Sequence, residues 1–327
     1  MEIGKLSNKI LEEIVFKNIL HKRPEVLVRP GIGEDCAVID FEDKVCVMST
    51  DPITGAVKDI GSLSIHITCN DIASSGVEPI GIMMTILAPV GTREKDFAYV
   101  MRDANEAAAS VDVEIIGGHS EITDAVNRMV ITTTAIGIQD KKDLITSKGA
   151  QIGDIVIMTK HAGLEGISII ASDLEEDLHG RVAQETIDTA KSFAKDISVV
   201  PEGVLAGKIG VSSMHDVTEG GLLGALWELA EASGVGIEID LDKVPIRKET
   251  REICDVLSIN PYKLISSGVM VMAVEEGKKQ LLLKELSDRG IKASQIGKIT
   301  EKDRTYIYNG QEKPLEVPGT DELYKVI

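Results

Sequence analysis

The longest apolar run in the chain, PIGIMMTILAPV at residues 79–90, is bracketed by Pro79 and Pro89. A helix that crosses a membrane needs roughly 18–20 apolar residues, so this run reads as a buried strand. Around it the periodicities alternate. A first helix is expected over about 6–20, two short strands at CAVIDF and KVCVMSTD, and a helix near 60–74. A further helix follows over about 93–110, with Phe97, Met101, Ala104 and Ala108 on one face, and then strands at EIIGG and RMVITTTAIGI. The polar stretch QDKKDLITSKGAQIGD marks a boundary near 140–150 before the strand IVIMTK. Beyond it come helices over 165–174 and 182–195, strands at KLISSGVMVMAV and TYIYNG, and the helix KKQLLLKELSDRG between them. The order is α/β throughout, without the repeated βαβ units of a dinucleotide-binding fold.

The chain has 327 residues, enough for two domains. Aromatic residues make up only 3%, so the core must rest on Ile, Val, Leu, Met and Ala. The net charge of −18 argues against a broad nucleic-acid surface, although an acidic protein still binds nucleotides when a divalent cation bridges carboxylate and phosphate. Cys36, Cys46, Cys69 and Cys254 show no CxxC spacing and read as reduced interior residues. The opening MEIGKLSNKILEEIVF lacks the apolar core of a signal peptide, and a cytoplasmic protein with no membrane association is expected.

Acid-bearing turns at strand ends carry the chemistry. RPGIGEDCAVIDF sets Gly31 and Gly33 before Glu34 and Asp35, a turn that also suits a cation held by Asp35. MSTDPITG places Asp51 at a strand end, where a turn or a cap explains it equally well. Asn70 and Asp71 sit inside an apolar helical stretch; an unpaired carboxylate there is costly, and a metal would compensate it. IIGGHSEITD joins a strand to Gly117, Gly118, His119, Ser120 and Glu121, with Glu121 a further oxygen ligand and His119 either an acid–base group or a local hydrogen-bonding partner. The spacing of His66, His119 and His215 does not specify zinc. SMHDVTEGGLLGALWELAEASG leads into a helix with Leu222, Leu226 and Leu229 on its buried stripe. Asp216 and Glu219 there fit a capping box, and the same small-residue entrance suits phosphate. Together the turns describe a distributed Mg-nucleotide site.

The ordered set GIGEDCAVID, MSTDPITG, NDIASSGVEPIG, GGHSEIT and HDVTEGGLLGAL resembles the aminoimidazole ribonucleotide (AIR) synthetase, or PurM-like, superfamily over nearly the whole chain. Within it, the resemblance is closest to the hydrogenase maturation proteins that make a nitrile from a carbamoylated C-terminal cysteine. It implies an N-terminal ATP-binding and dimerisation domain over 1–145, whose sheet pairs with that of a second subunit into a dimeric barrel, and a C-terminal α/β sandwich over 146–327. It also implies a homodimer that binds ATP and Mg²⁺ and activates an amide or carbonyl oxygen of a small-molecule substrate by phosphorylation, with a protein partner as a further prospect. By the resemblance Asp35, Asp51, Asp71, Glu121 and Asp216 hold the metal, and Gly33, Asn70, Gly117, Gly118, Thr218 and Gly220 contact the nucleotide. Asp71, Asp216 and His119 are the catalytic candidates. The tail PLEVPGTDELYKVI has no cysteine, which departs from nitrile-forming relatives and argues against chemistry on the tail itself. Alternatives are a small-molecule kinase resembling thiamine-monophosphate kinase and a non-catalytic, nucleotide-responsive regulatory dimer.

Overall fold

The structure, a computed structural model, describes residues 6–54 and 59–327; Gly55 of the STDPITG stretch lies outside the described residues. The N-terminal helix is a short coil of helical turns, Asn8–Ile10, Leu11–Val15 and Phe16–Asn18.

The first sheet contains β1 (Val26–Val28), β2 (Ala37–Phe41), β3 (Lys44–Ile53), β4 (Pro79–Pro89), β5 (Glu114–Thr123) and β6 (Val130–Asp140). Their order is β1-β2-β3-β6-β4-β5. Two helices, α1 (Ile60–Ser74) and α2 (Glu94–Ser110), pack on each other, and α1 packs on β3 and β6. Helix α1 is buried almost all round, as its apolar composition requires: Ile65, Cys69, Ile72 and Ala73 have no exposed surface.

The expected barrel is not present. The six strands form an open sheet in which β1 and β5 are edges. Closing it would require those edges to pair, but β1 is only three residues long and its register against β2 shifts between Val26 and Val28. The strand motifs fix who pairs with whom; closure depends on the edges, which the motifs do not touch.

The second sheet contains β7 (Ile155–Thr159), β8 (Ser213–Asp216), β9 (Gly236–Asp240), β10 (Met270–Val274), β11 (Ala293–Thr300), β12 (Arg304–Tyr308) and β13 (Gln311–Pro314), in the order β13-β12-β9-β11-β7-β10-β8. Helices α3 (Leu164–Asp173), α4 (Gln184–Lys191), α5 (Val200–Ile209), α6 (Gly221–Ser233), α7 (Lys248–Leu257) and α8 (Glu276–Asp288) complete this half. Strand β7 shows why both faces need cover. Its side chains alternate between two cores, Ile155 and Ile157 joining Leu205, Leu282 and Leu286, while Val156 and Met158 join Leu164, Ile167 and Leu226. Among the described residues no helix is long and apolar enough to cross a membrane.

Asn70 of α1 fastens the two halves. Its side-chain NH₂ donates to Ile197 O at 2.9 Å, and its side-chain oxygen accepts from Val199 N–H at 2.7 Å.

Candidate functional site

The site forms where three elements bring acid side chains to one place. Asp35 follows the turn before β2; Asp71 faces it from α1; Asp216 ends β8 in the other sheet. Ligand atoms of Asp35, His215 and Asp216 all lie within 4.8 Å of one another, a spacing that could hold a metal ion. Asp71 is buried, takes a short hydrogen bond from Ser49 Oγ on β3, and shares a side-chain hydrogen bond with Asp51. Ser49 Oγ also lies 3.1 Å from Asp35 O, and Ser74 Oγ lies 3.4 Å from Asp35 Oδ2. Four of the five carboxylates expected to hold metal, Asp35, Asp51, Asp71 and Asp216, therefore converge.

Burial sets the electrostatics. It pushes the Asp71 carboxyl well above the usual range, and the neighbouring charges of Asp216 and Asp51 push the same way. Asp216 rises to about 6, again chiefly through burial, with His215 pulling it back. Burial opposes protonation of His215, but Asp35, Asp216 and Glu228 outweigh it and hold the imidazole well above its ordinary value. His215 Nδ1 lies 3.0 Å from Asp35 Oδ2 without hydrogen-bond alignment, and Nε2 lies 3.2 Å from Glu228 Oε2 on α6. Both oxygens of Asp216 are buried and lack a hydrogen-bond partner. An orphaned carboxylate at the centre of an acid cluster fits a divalent cation with oxygen ligands, which would satisfy it and lower the mutual repulsion.

The remaining expected residues are placed differently. His119 and Glu121 are exposed on edge strand β5 and pair with each other, Nε2 to Oε2 at 3.0 Å. Asp51 is aligned with Thr133, Thr133 with Met84 and Met84 with Gly118, so β5 stands three strands from Asp51, roughly 14 Å across the sheet. Within one chain His119, Glu121, Gly117 and Gly118 do not join the acid cluster. Asn70 spends one N–H and one lone pair of its amide on the seam between the halves, a structural duty in place of the expected contact with the nucleotide. Gly33 allows close packing on α6: a Cβ there would stand 2.8 Å from Glu228 O.

The capping box is also corrected. Asp216 belongs to β8, and α6 starts at Gly221 with Gly220 as its left-handed cap residue and no cap from that residue's side chain. The Gly220 N–H instead donates to Asp321 Oδ2 at 2.7 Å, and Glu219 accepts from Tyr324 OH at 2.8 Å. Thr218 lies half-buried in this turn, one residue past Val217. Sequence reasoning passed over Ser49 and Glu228, and weighed His215 only as one of three histidines whose spacing does not specify zinc. The one signal was a carboxylate, Glu228, inside the apolar run of α6, where only a buried partner would keep it.

Residues 33–139 match the N-terminal domain, and residues 151–309 the C-terminal domain, of AIR synthase related protein. The chain is 32% identical over 316 residues to a putative hydrogenase expression/formation protein of Methanocaldococcus jannaschii, covering 93% of this chain and 90% of that protein. In fold it is similar to a chain of the HypE–HypF complex, with a TM-score of 0.78 at 22% identity, covering 94% of this chain and 99% of that one. It is also similar to hydrogenase maturation protein HypE solved in complex with ATP, with a TM-score of 0.74 at 21% identity, covering 98% and 97%. With both halves matched and a relative of this identity along almost its full length, the chain belongs to the AIR synthase related protein family, in the superfamily that includes HypE.

Proposed function

We propose that the protein is a Mg-ATP-dependent enzyme that activates an amide or carbonyl oxygen of a small molecule by phosphorylation. The observation that carries this reading is the pair of buried, unpartnered Asp216 oxygens facing Asp35 from the other sheet. Asp35, Asp71 and Asp216 would hold the cation, with Asp51 supporting Asp71 through their shared hydrogen bond. A magnesium ion held by these residues would supply positive charge that offsets that of the phosphates. Ser49 orients Asp71, and His215 supplies the positive charge that lets Asp35 and Glu228 stay close. Thr218, half-buried in the turn between Asp216 and α6, would contribute its hydroxyl to a phosphate. The fold shared with HypE bound to ATP supports the nucleotide, and the fold shared with HypE in its complex with HypF supports a protein partner.

Two structural extensions belong to the same reading. The division into units falls after residue 145, between the two sheets. The chain works as a homodimer, because Ile80, Met83, Ile116 and Ile138 of the first sheet are about half exposed and form apolar surface that a second copy would cover. Light scattering is expected to give a two-subunit mass; a monomer at high concentration would refute the pairing.

The deciding experiment is incubation with Mg²⁺, labelled ATP and a panel of amides, phosphorylated ribonucleotides and thiamine monophosphate, followed by phosphate release and mass spectrometry. Substrate-dependent ADP formation with a phosphorylated or dehydrated product is expected. Mg-ATP binding without turnover on any of them, coupled to altered affinity for a protein partner, would favour a regulatory dimer.

A further inference from the structure

The polar stretch that connects the two sheets also reaches the acid site. After β6 the chain runs through residues 141–154 to β7, and residues 147–150 of this connection are fastened to β8 and to the end of α6. The backbone oxygen of Ser147 accepts from Ser213 Oγ at 3.0 Å and from Ser233 Oγ at 2.8 Å, while its hydroxyl donates to Met214 O at 3.4 Å. Gly149 comes so close to Ser212 O that no Cβ would fit, and Ala150 N–H donates to Ser233 Oγ at 3.2 Å. Lys148, between Ser147 and Gly149, therefore stands on the same frame as His215 and Asp216, the next residues along β8.

From that frame the Lys148 ammonium crosses to the turn before β2, where its Nζ lies 3.1 Å from Glu34 Oε1. The lysine side chain is 54% exposed, but that of Glu34 keeps only 4% of its surface. An ion pair between two exposed groups is worth little. Here the carboxylate is out of water, and among the described residues no hydrogen-bond donor is aligned with its Oε1, so the ammonium is what compensates it. Burial pushes the Glu34 carboxyl up, and Lys148 is the main group opposing it, ahead of His215. Three successive residues of the turn are thus gripped by the second half: Gly33 by the α6 backbone at Glu228, Glu34 by Lys148, and Asp35 by His215. Any slide of the turn along β8 has to break both ion pairs together.

We propose that Lys148 is a positioning residue of the cation site: by holding Glu34 across the boundary between the halves, it sets the reach between Asp35 and Asp216. The inference rests on the cation reading above and adds the group that keeps the two parts of the ligand set in register. Asp35 and Asp216 come from different sheets, so neither sheet by itself fixes their separation. With Glu34 held on the frame that carries β8, Asp35 is brought to the 4.8 Å spacing it shares with His215 and Asp216. Without Lys148, Glu34 becomes a buried carboxylate beside Asp35 that has lost its partner, and the turn relieves it by moving toward water, taking Asp35 along. The sign of the effect separates positioning from charge. An ammonium near a cation site repels the cation, so a Lys148 that contributed only its charge would weaken binding, and its removal would tighten it. Positioning requires the reverse: binding weakens although a repelling charge has gone.

The test uses the full chain and Mn²⁺ alone, an ion that takes the same oxygen ligands as Mg²⁺ and whose free fraction is read by electron paramagnetic resonance. Lys148→Met should weaken Mn²⁺ binding about fivefold, while Lys148→Arg, which keeps the charge and the reach, should stay within about twofold of wild type. Glu34→Gln breaks the same pair from the other end and should weaken binding by a similar factor. Combined with Lys148→Met it should cost no more than about tenfold, where independent losses would multiply to about 25-fold. Lys148→Gln is read in the same way should Lys148→Met not fold. A folded Lys148→Met or Lys148→Gln protein that binds Mn²⁺ as tightly as wild type, or more tightly, overturns the proposal, as do losses that multiply in the double variant. Wild type that binds no Mn²⁺ sinks the cation reading itself.

Discussion

His215 and Asp35 meet across the boundary between the two sheets, Nδ1 to Oδ2 at 3.0 Å. The imidazolium is the positive charge among four nearby carboxylates, those of Asp35, Asp71, Asp216 and Glu228. His215→Ala should therefore lower stability by about 3 kcal/mol, because it leaves buried acids without their counter-charge. Added Mg²⁺ should recover more stability in this variant than in wild type. Thermal melts with and without the metal check both; equal Mg²⁺ responses would argue that the cluster holds no cation.

Asp71→Asn and Asp216→Asn should separate binding from folding. Each keeps the side chain's volume and removes a ligand charge, so Mg-ATP affinity should fall by tenfold or more by calorimetry. Stability should move the other way. The folded-state pKa of Asp216 is raised to about 6, so its ionisation opposes folding above that pH, and Asp216→Asn should gain roughly 1–3 kcal/mol at pH 8 without metal. Loss of both affinity and stability would mark these residues as structural.

Glu165, buried in the first turn of α3, gives a pH signature in stability. Its folded-state pKa of about 7 is above that of an unfolded glutamate, near 4.5. Its contribution is fully present below the lower value and is lost as pH rises through the upper one. Glu165→Gln has no such ionisation. The variant should match wild type near pH 4 in its difference from a reference protein and exceed it by roughly 3 kcal/mol at pH 8, at about 1.4 kcal/mol per pKa unit. Chemical denaturation at the two pH values measures the difference; a pH-independent gap would contradict the buried, proton-exchanging acid.

Two glycines should respond oppositely to alanine. At Gly118 a Cβ would lie 1.8 Å from Met84 O, so Gly118→Ala should force the β4–β5 ladder apart and destabilise by about 3 kcal/mol or more. At Gly277, in the first turn of α8, the nearest atom is the Glu275 carboxylate at 3.8 Å, and Gly277→Ala should stabilise by up to about 1 kcal/mol. Urea titrations of both variants test this.

The parts legible in the sequence were those whose signal is local. Pro79 and Pro89 bracket β4, and the apolar run at 60–74 is α1 from end to end. Asp71 could be singled out because a carboxylate deep in an apolar helix demands a partner. Strands β9 and β11 were not anticipated: GIEID is short, and ASQIGKIT carries too few apolar side chains to show a period, its place being set by β7 and β9 on either side. Asp216 and Glu219 had the spacing of a cap, yet the acceptor for the helix entrance comes from Asp321, far along the chain. His215 was weighed in the sequence without a role, because its chemistry depends on Asp35 and Glu228, neither of which is its neighbour in sequence. His119 and Glu121 drew attention through their glycines, and only strand order reveals that they stand at the opposite edge.

Asn70 and Asp71 are successive residues of one helix with unrelated duties, the first tying α1 to the backbone at Ile197 and Val199, the second facing the acid cluster. Helical phase makes these duties inseparable. An insertion or deletion anywhere between Ile60 and Asn70 would rotate both side chains by about 100° at once, releasing the seam and emptying the cluster in a single event. A change in the length of α1 should therefore abolish both at once, and tolerance to insertions should begin only past its ends.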